Sequence, residues 1–242
     1  MPETYIVSDL HAGSPFFDRM AFTRFLDRLP PAASLILNGD VINRWHTPMP
    51  DEHAATLERL ADEAARRQII WLTGNHDDAY AWHTRGRIRQ ATEWCIERRL
   101  LVTHGHDFDH VMRHNGFALA FFRLLHAIYQ RMGHAAVHPA EFAKRFRLLY
   151  DAMCGHISHQ AIKHARSRGF EAITCGHTHH VEDRRIDGIR YINTGSWTEK
   201  PHCFVRVGAD TIQLVRFNQE QGNRGARPAA PPLQRPGDDQ AP

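Results

Sequence analysis

The apolar positions of the chain fall into short runs that end in polar turns. Residues 4–7, 34–37 and 69–72 are runs of the length of buried strands. Between them, residues 19–29 and 51–67 repeat apolar positions at helical spacing, with Ala54, Leu57 and Leu60 on one face of the second. Pro30 and Pro31 stop the first of these helices. Strand, helix, strand, helix, strand predicts a parallel α/β sheet. A hairpin over 91–96 and 100–103 is expected next, then a strand at 171–175. Short strands near 181–186, 190–193, 203–207 and 211–216 are expected to form an antiparallel or mixed second sheet. Between Asp109 and Gly169 the pattern is nearly all helical. It predicts a helical cap, about residues 110–169, inserted into a domain of residues 1–217. Residues 218–242 are rich in Gln, Gly, Arg and Pro and are expected to be a disordered tail.

Composition narrows the picture. The chain has 242 residues, a formal net charge of +3 and a sequence pI near 8.8, too slight a bias to imply a nucleic-acid partner. No apolar run approaches the ~20 residues of a membrane span, and the N-terminus enters a strand without the pattern of a signal peptide. Cys95, Cys154, Cys175 and Cys203 show no Cys-x-x-Cys spacing. They are expected to be reduced core or near-core thiols of a cytoplasmic protein. Histidine stands out, at 19 residues.

The histidines gain meaning from where they fall. Five apolar strands end in Asp9/His11, Asp40, Asn75/His76, His104/His106 and His177/His179. In open α/β sheets the C-terminal strand ends are where ligands bind. One such pair alone is commonly a cap or a turn; the recurrence at five strand ends points to a metal site. Carboxylate, imidazole and amide make a mixed N/O donor set that suits Mn, Fe or Zn better than Ca or Mg. The donors are too many for one ion and suit two divalent metal ions, with Asp40 the best bridging carboxylate. His46, His53, His83, His114, His126, His134, His138, His156, His159, His164 and His202 read as surface or partly buried imidazoles without such a role.

Asp9-Leu10-His11, Gly39-Asp40, Gly74-Asn75-His76-Asp77, His104-Gly105-His106 and Gly176-His177-Thr178-His179 resemble, in order, the five motifs of the calcineurin-like metallophosphoesterases. The resemblance covers roughly residues 4–110 and 170–217. It implies an α/β fold, a four-layer αββα sandwich. It assigns one metal to Asp9, His11, Asp40 and His179, and the other to Asp40, Asn75, His104 and His177. It makes His76 the general acid or charge stabiliser. Asp77 is expected to accept a hydrogen bond from His76 and fix its tautomer.

In the cap, Phe117, Phe121, Leu124, Ile128 and Met132 share one helical face. Phe142, Phe146, Leu149, Tyr150 and Met153 make a second stripe, with Lys144, Arg145 and Arg147 on the other side. These stripes read either as cap helices packed on each other or as an apolar groove with a basic mouth. In the second case Phe121, Ile128, Lys144, Arg145 and Arg147 bind substrate. With Gly188 to Trp197, this layout resembles the UDP-2,3-diacylglucosamine hydrolases (pyrophosphatases) of lipid A biosynthesis. The chain departs from many of them at His76, where they carry Arg, and within 104–106 and 195–197. The resemblance implies manganese-dependent cleavage of a nucleotide-linked lipid to UMP and lipid X, by a cytoplasmic protein peripheral to the inner membrane. A phosphodiesterase or phosphatase acting on a soluble nucleotide or phosphoprotein stays open as an alternative. So does an inactive binding scaffold.

Overall fold

Side-chain alternation in the strands decides how the layers stack. In β1 (Thr4–Val7), Ile6 points to one face while Tyr5 and Val7 point to the other. In β2 (Ser34–Asn38), Ile36 opposes Leu35 and Leu37; in β3 (Ile69–Leu72), Ile70 and Leu72 oppose Ile69 and Trp71. One set meets α1 (Arg19–Asp27) and α2 (Asp51–Ala64) through Phe22, Phe25, Leu26, Leu60 and Ala64. The other set faces Leu100 and Val102 of β6 (Leu100–Thr103) and Ala172 of β7 (Ala172–Cys175). These strands bury both faces, which is why they read as continuous apolar runs.

The computed structural model describes residues 2–81, 88–109, 131 and 139–218. Phe121, Ile128 and the expected tail beyond Asn218 lie outside the described residues. The first sheet has the order β11-β10-β1-β2-β3-β4, with β4 at Ile88–Ala91, β10 at Cys203–Val207 and β11 at Ile212–Arg216. The second has the order β5-β6-β7-β9-β8, with β5 at Glu93–Ile96, β8 at Glu182–Ile186 and β9 at Ile189–Asn193. β1 to β4 are parallel in sequence order, and β6, β7 and β9 are parallel in the other sheet. Parallel pairing gathers the C-terminal ends of β1, β2 and β3 at one edge of their sheet, and those of β6 and β7 at one edge of theirs.

The second sheet corrects the expected grouping of the last four strands. β8 and β9 form a hairpin that stays with β7, whereas β10 crosses back and pairs antiparallel with β1, with β11 outside it. The expected strand 91–96 is also divided. Ala91 pairs with Leu72 in the first sheet, and Glu93 pairs with Thr103 in the second. The chain therefore changes sheets at Thr92.

Two helices follow the described gap, α3 (Pro139–Lys144) and α4 (Arg147–Ser167). Within the stretch expected as an inserted cap, α4 lays Ala161, Ile162 and Ala165 on Leu101, Ile173 and Tyr191. It is thus the outer helical layer of the second sheet and completes helix, sheet, sheet, helix. Cys154, Cys175 and Cys203 are buried free thiols; Cys95 is free but exposed, so the core expectation does not hold for it. Among the described residues no helix is long and apolar enough to cross a membrane.

Candidate metal centre

The strand ends leave their sheets through strained backbone. Asp9 (φ 55°), His11 (51°), Asp40 (51°), His177 (64°) and His179 (54°) all have positive φ without being glycine. Such residues are uncommon, and each costs about 1–3 kcal/mol unless the surroundings over-determine it. For Asp9, His11 and Asp40 backbone bonds across the fold do so: Asp9 N donates to Gly39 O at 3.1 Å, His11 N to Asp40 O at 2.8 Å and Trp197 N to Asp9 O at 3.0 Å. The left-handed turns re-aim consecutive side chains into one volume.

That volume collects acids and imidazoles from the ends of five strands. His179 Nε2 lies 3.1 Å from His11 Nε2 and 3.2 Å from Asp9 Oδ1. His11 Nε2 is 3.8 Å from both Asp9 Oδ1 and Asp40 Oδ2. His104 Nε2 is 3.3 Å from Asp40 Oδ2, and its Nδ1 is held by Asn38 O at 2.9 Å. His76 Nε2 reaches to 4.0 Å from the same Asp40 oxygen. Three sets have ligand atoms within 4.8 Å of one another: Asp9/His11/His179, His11/Asp40/His76 and Asp9/Asp40/His104. Asp40 belongs to two of them. The donors converge through imidazole nitrogens and carboxylate oxygens, buried except at His76, and form a mixed N/O set that suits a transition metal.

Two glycines make the approach possible. A Cβ on Gly74 would lie 2.1 Å from Asp40 Oδ1, and one on Gly176 would lie 2.3 Å from Asp9 Oδ2. Any side chain at either position would displace a carboxylate of the cluster.

The electrostatics follow from burial and proximity. Burial pushes the Asp9 carboxyl up, but His179 and His104 beside it hold it at about 2. Burial likewise opposes the Asp40 anion, and His104 and His11 overcome it, holding Asp40 well below the usual range. His104 is disfavoured as a cation by burial, yet Asp40 and Asp9 raise it to about 10. His179 rises to about 9 for the same reason, against burial and chiefly through Asp9. His11 goes the other way, down to about 3, because burial dominates. The pocket is therefore a pair of carboxylates that demands positive charge.

The remaining expected site residues are less converged. His177 turns its Nε2 to Asp109 Oδ2 at 3.0 Å, although its ring centroid is 5.6 Å from that of His104. Asn75 is exposed at the turn after β3. Asp77 does not hold His76. It is fully buried and accepts from Gly74 N at 2.7 Å, Val41 N at 2.8 Å and Trp71 Nε1 at 3.2 Å. His76 Nδ1 is instead bonded to Asn43 O at 2.7 Å. The expected Asp–His pair is replaced by a carboxylate that locks the turn and a carbonyl that orients the ring.

Of the expected substrate residues, Lys144 donates to Glu199 Oε1 at 2.6 Å and to His179 O at 2.9 Å. Arg145 and Arg147 are exposed, and Arg147 faces Asp151 at 3.7 Å. Sequence reading passed over Glu199, Asp109 and Asn43. Only Asp109 carried a signal, as the last acid of the His106-Asp107-Phe108-Asp109 run. Of the histidines without an expected role, His53 accepts from Gly13 N at 2.9 Å, and His202 is bonded to Asp18 Oδ2 at 3.1 Å.

The sequence model of the calcineurin-like phosphoesterases matches residues 3–181, and the chain belongs to that family. Its chemistry is hydrolysis of phosphoester bonds. No curated protein matches the chain significantly. Among solved structures, Vacuolar Protein Sorting 29 from Cryptosporidium parvum is similar in fold, with 10% identity, a TM-score of 0.51, and 94% of this chain and 96% of that one covered. Yfce, a phosphoesterase from E. coli, aligns at 18% identity and a TM-score of 0.47, covering 90% and 95%.

Proposed function

We propose that the protein hydrolyses a phosphodiester or pyrophosphate bond with two divalent ions, Mn in the first instance, and that its substrate is UDP-2,3-diacylglucosamine. The observation that carries the hydrolytic reading is the convergence of Asp9, His11, His104 and His179 around Asp40. Asp9, His11, Asp40 and His179 would hold one ion. Asp40, Asn75, His104 and His177 would hold the other. When bound, such a pair supplies an activated water and neutralises charge on the phosphate.

The chain's own residues do the rest. Asp40 Oδ1 accepts from His76 N at 2.9 Å, which keeps the turn carrying His76 against the cluster. The Asn43 carbonyl accepts a hydrogen bond from His76 Nδ1, so Nε2 is the nitrogen left to meet substrate. In its imidazolium form that nitrogen gives its proton to the leaving oxygen.

The lipid part rests on a different feature. Phe146 (44% exposed), Leu148 (89%) and Leu149 (71%) stand open beside Arg145 and Arg147. Large exposed apolar side chains grouped with cations favour an amphiphilic, anionic substrate, and an anionic membrane surface at which to meet it. A hydrolysis screen in Mn²⁺ tests both parts, using UDP-diacylglucosamine, bis-p-nitrophenyl phosphate and simple monoesters. Turnover of the lipid nucleotide to UMP is expected. Turnover of soluble diesters without the lipid substrate would transfer the assignment to a soluble nucleotide. Inactivity on all of them with metal bound would favour a binding scaffold.

A further inference from the structure

Lys144 was expected to meet substrate phosphate, but its charge is already committed. Its ammonium bonds Glu199 Oε1 at 2.6 Å, a charge-assisted distance, and the side chains are only 30% and 19% exposed. The same ammonium bonds the backbone carbonyl of His179 at 2.9 Å. Glu199 Oε1 in turn lies 3.7 Å from His179 Nδ1, on the side of the ring away from the cluster. The other ring nitrogen, Nε2, points at Asp9 and His11.

We propose that Glu199 is a positioning residue for His179, and that Lys144 holds both Glu199 and the His179 backbone in place. At 3.7 Å the carboxylate acts by charge rather than through a hydrogen bond. An anion beside Nδ1 keeps the proton there and leaves the Nε2 lone pair free for a metal ion. The next turn is fastened in the same way: Tyr150 Oη donates to Thr178 O at 2.6 Å. α3 and α4 thus grip consecutive carbonyls of the His177–His179 loop. Docking of these helices is thereby tied to the geometry of one half of the metal centre. The inference rests on the metal reading above.

The test is Mn²⁺ binding by calorimetry to the full-length, metal-stripped protein, with thermal unfolding measured in parallel. Wild-type protein is expected to bind two ions. Glu199→Ala should weaken one of them about 10–100-fold, the usual effect of removing a carboxylate behind a ligating histidine. Glu199→Gln, which keeps the shape but removes the charge, should lose about as much, and Lys144→Met should shift the same ion in the same direction. The decisive comparison is a double-mutant cycle. If Glu199 acts through His179, Glu199→Ala should cost nothing further in a His179→Ala background. Additive losses, or two ions at wild-type affinity in folded Glu199→Ala, would overturn the proposal while leaving the metal reading intact. Should Glu199→Ala fail to fold, unchanged affinity in Glu199→Gln and Lys144→Met together would overturn it equally. A wild-type protein that binds no Mn²⁺ would overturn the metal reading itself, and this inference with it.

Discussion

The two halves of the centre are built differently. Asp9, His11 and His179 are buried and brought within a few ångströms of each other, with Asp9 and His11 held by backbone bonds between strand ends. Asn75 and His177 sit on loop tips; one is exposed, and the other is engaged with Asp109. Asp40 and His104 join the halves through their 3.3 Å contact. The closed half derives its precision from strained turns that cross-strand bonds enforce. The open half presents one exposed side chain, Asn75, and one imidazole, His177, held by Asp109 instead of by the cluster. The difference implies that a metal in the closed half is bound more tightly than one in the open half.

The largest effect expected is from the residue that both halves share. Asp40→Ala removes the carboxylate that faces His11, His76 and His104 together, so both ions should weaken. Loss of several kcal/mol of charge stabilisation lowers kcat/KM by about 10⁴-fold. Metal content by mass spectrometry and turnover on bis-p-nitrophenyl phosphate check it. Two ions per chain with near-normal turnover would dissolve the distinction between halves, because Asp40 would then bridge nothing.

His76 tests the chemistry without removing any of the residues assigned to hold metal. His76→Ala should keep the bound metal and lower kcat by roughly 10²–10⁴-fold, the size of a general-acid contribution. The loss should shrink for nitrophenyl esters, whose leaving group needs no proton. Equal losses on both substrate types would make His76 a stabiliser of phosphate charge instead.

How far the sequence foretold this arrangement depends on the range of the interaction. Asp9, His11, Asp40, His104 and His179 were legible because each ends an apolar strand, and strand ends in parallel sheets converge. A parallel α/β sheet followed from the alternation of short apolar runs and helical periods, and the four-layer sandwich from the resemblance of the five motifs. The return of β10 to β1 was not legible, because Thr4 pairs with Val207 and nothing local encodes that choice. Glu199 was equally hidden; a lone acid after Trp197 and Thr198 reads as surface until the fold brings Lys144 to it. Asp77 looked like a partner for its neighbour His76, but the turn required its carboxylate for three backbone and indole donors. Adjacency in sequence lost to burial, since an unpaired amide there would be costly.

Acidity separates the metal-free state from the loaded one. His104 and His179 are raised in the metal-free protein to about 10 and about 9, against ~6.5 when unfolded. A raised pKa gives stability that is fully present below the unfolded value and is lost as pH climbs through the folded value. Protein treated with chelator should therefore show a falling Tm between about pH 6.5 and pH 10. Mn²⁺ needs both rings neutral, so its apparent affinity should rise across the same window and flatten the Tm profile. A chelator-treated Tm that does not change over this range would mean that these imidazoles carry no extra proton.

The smallest effect expected is at Asn75, and it bears most directly on the comparison. Its side chain is exposed, so Asn75→Ala should change stability by no more than about 0.5 kcal/mol. A neutral amide oxygen is also a weak ligand beside carboxylates and imidazoles. If the open half is the looser one, removing this ligand should lower the affinity of the weaker ion by about tenfold, or about 1.4 kcal/mol. The tighter ion should be unaffected. Turnover at saturating Mn²⁺ should then recover much of the wild-type value, while turnover at low Mn²⁺ should not. Titration of kcat against Mn²⁺ concentration resolves the two ions. If Asn75→Ala weakens the tighter ion instead, the order of the halves is reversed, and the strained, buried cluster would have to bind its metal more loosely than an exposed loop tip does.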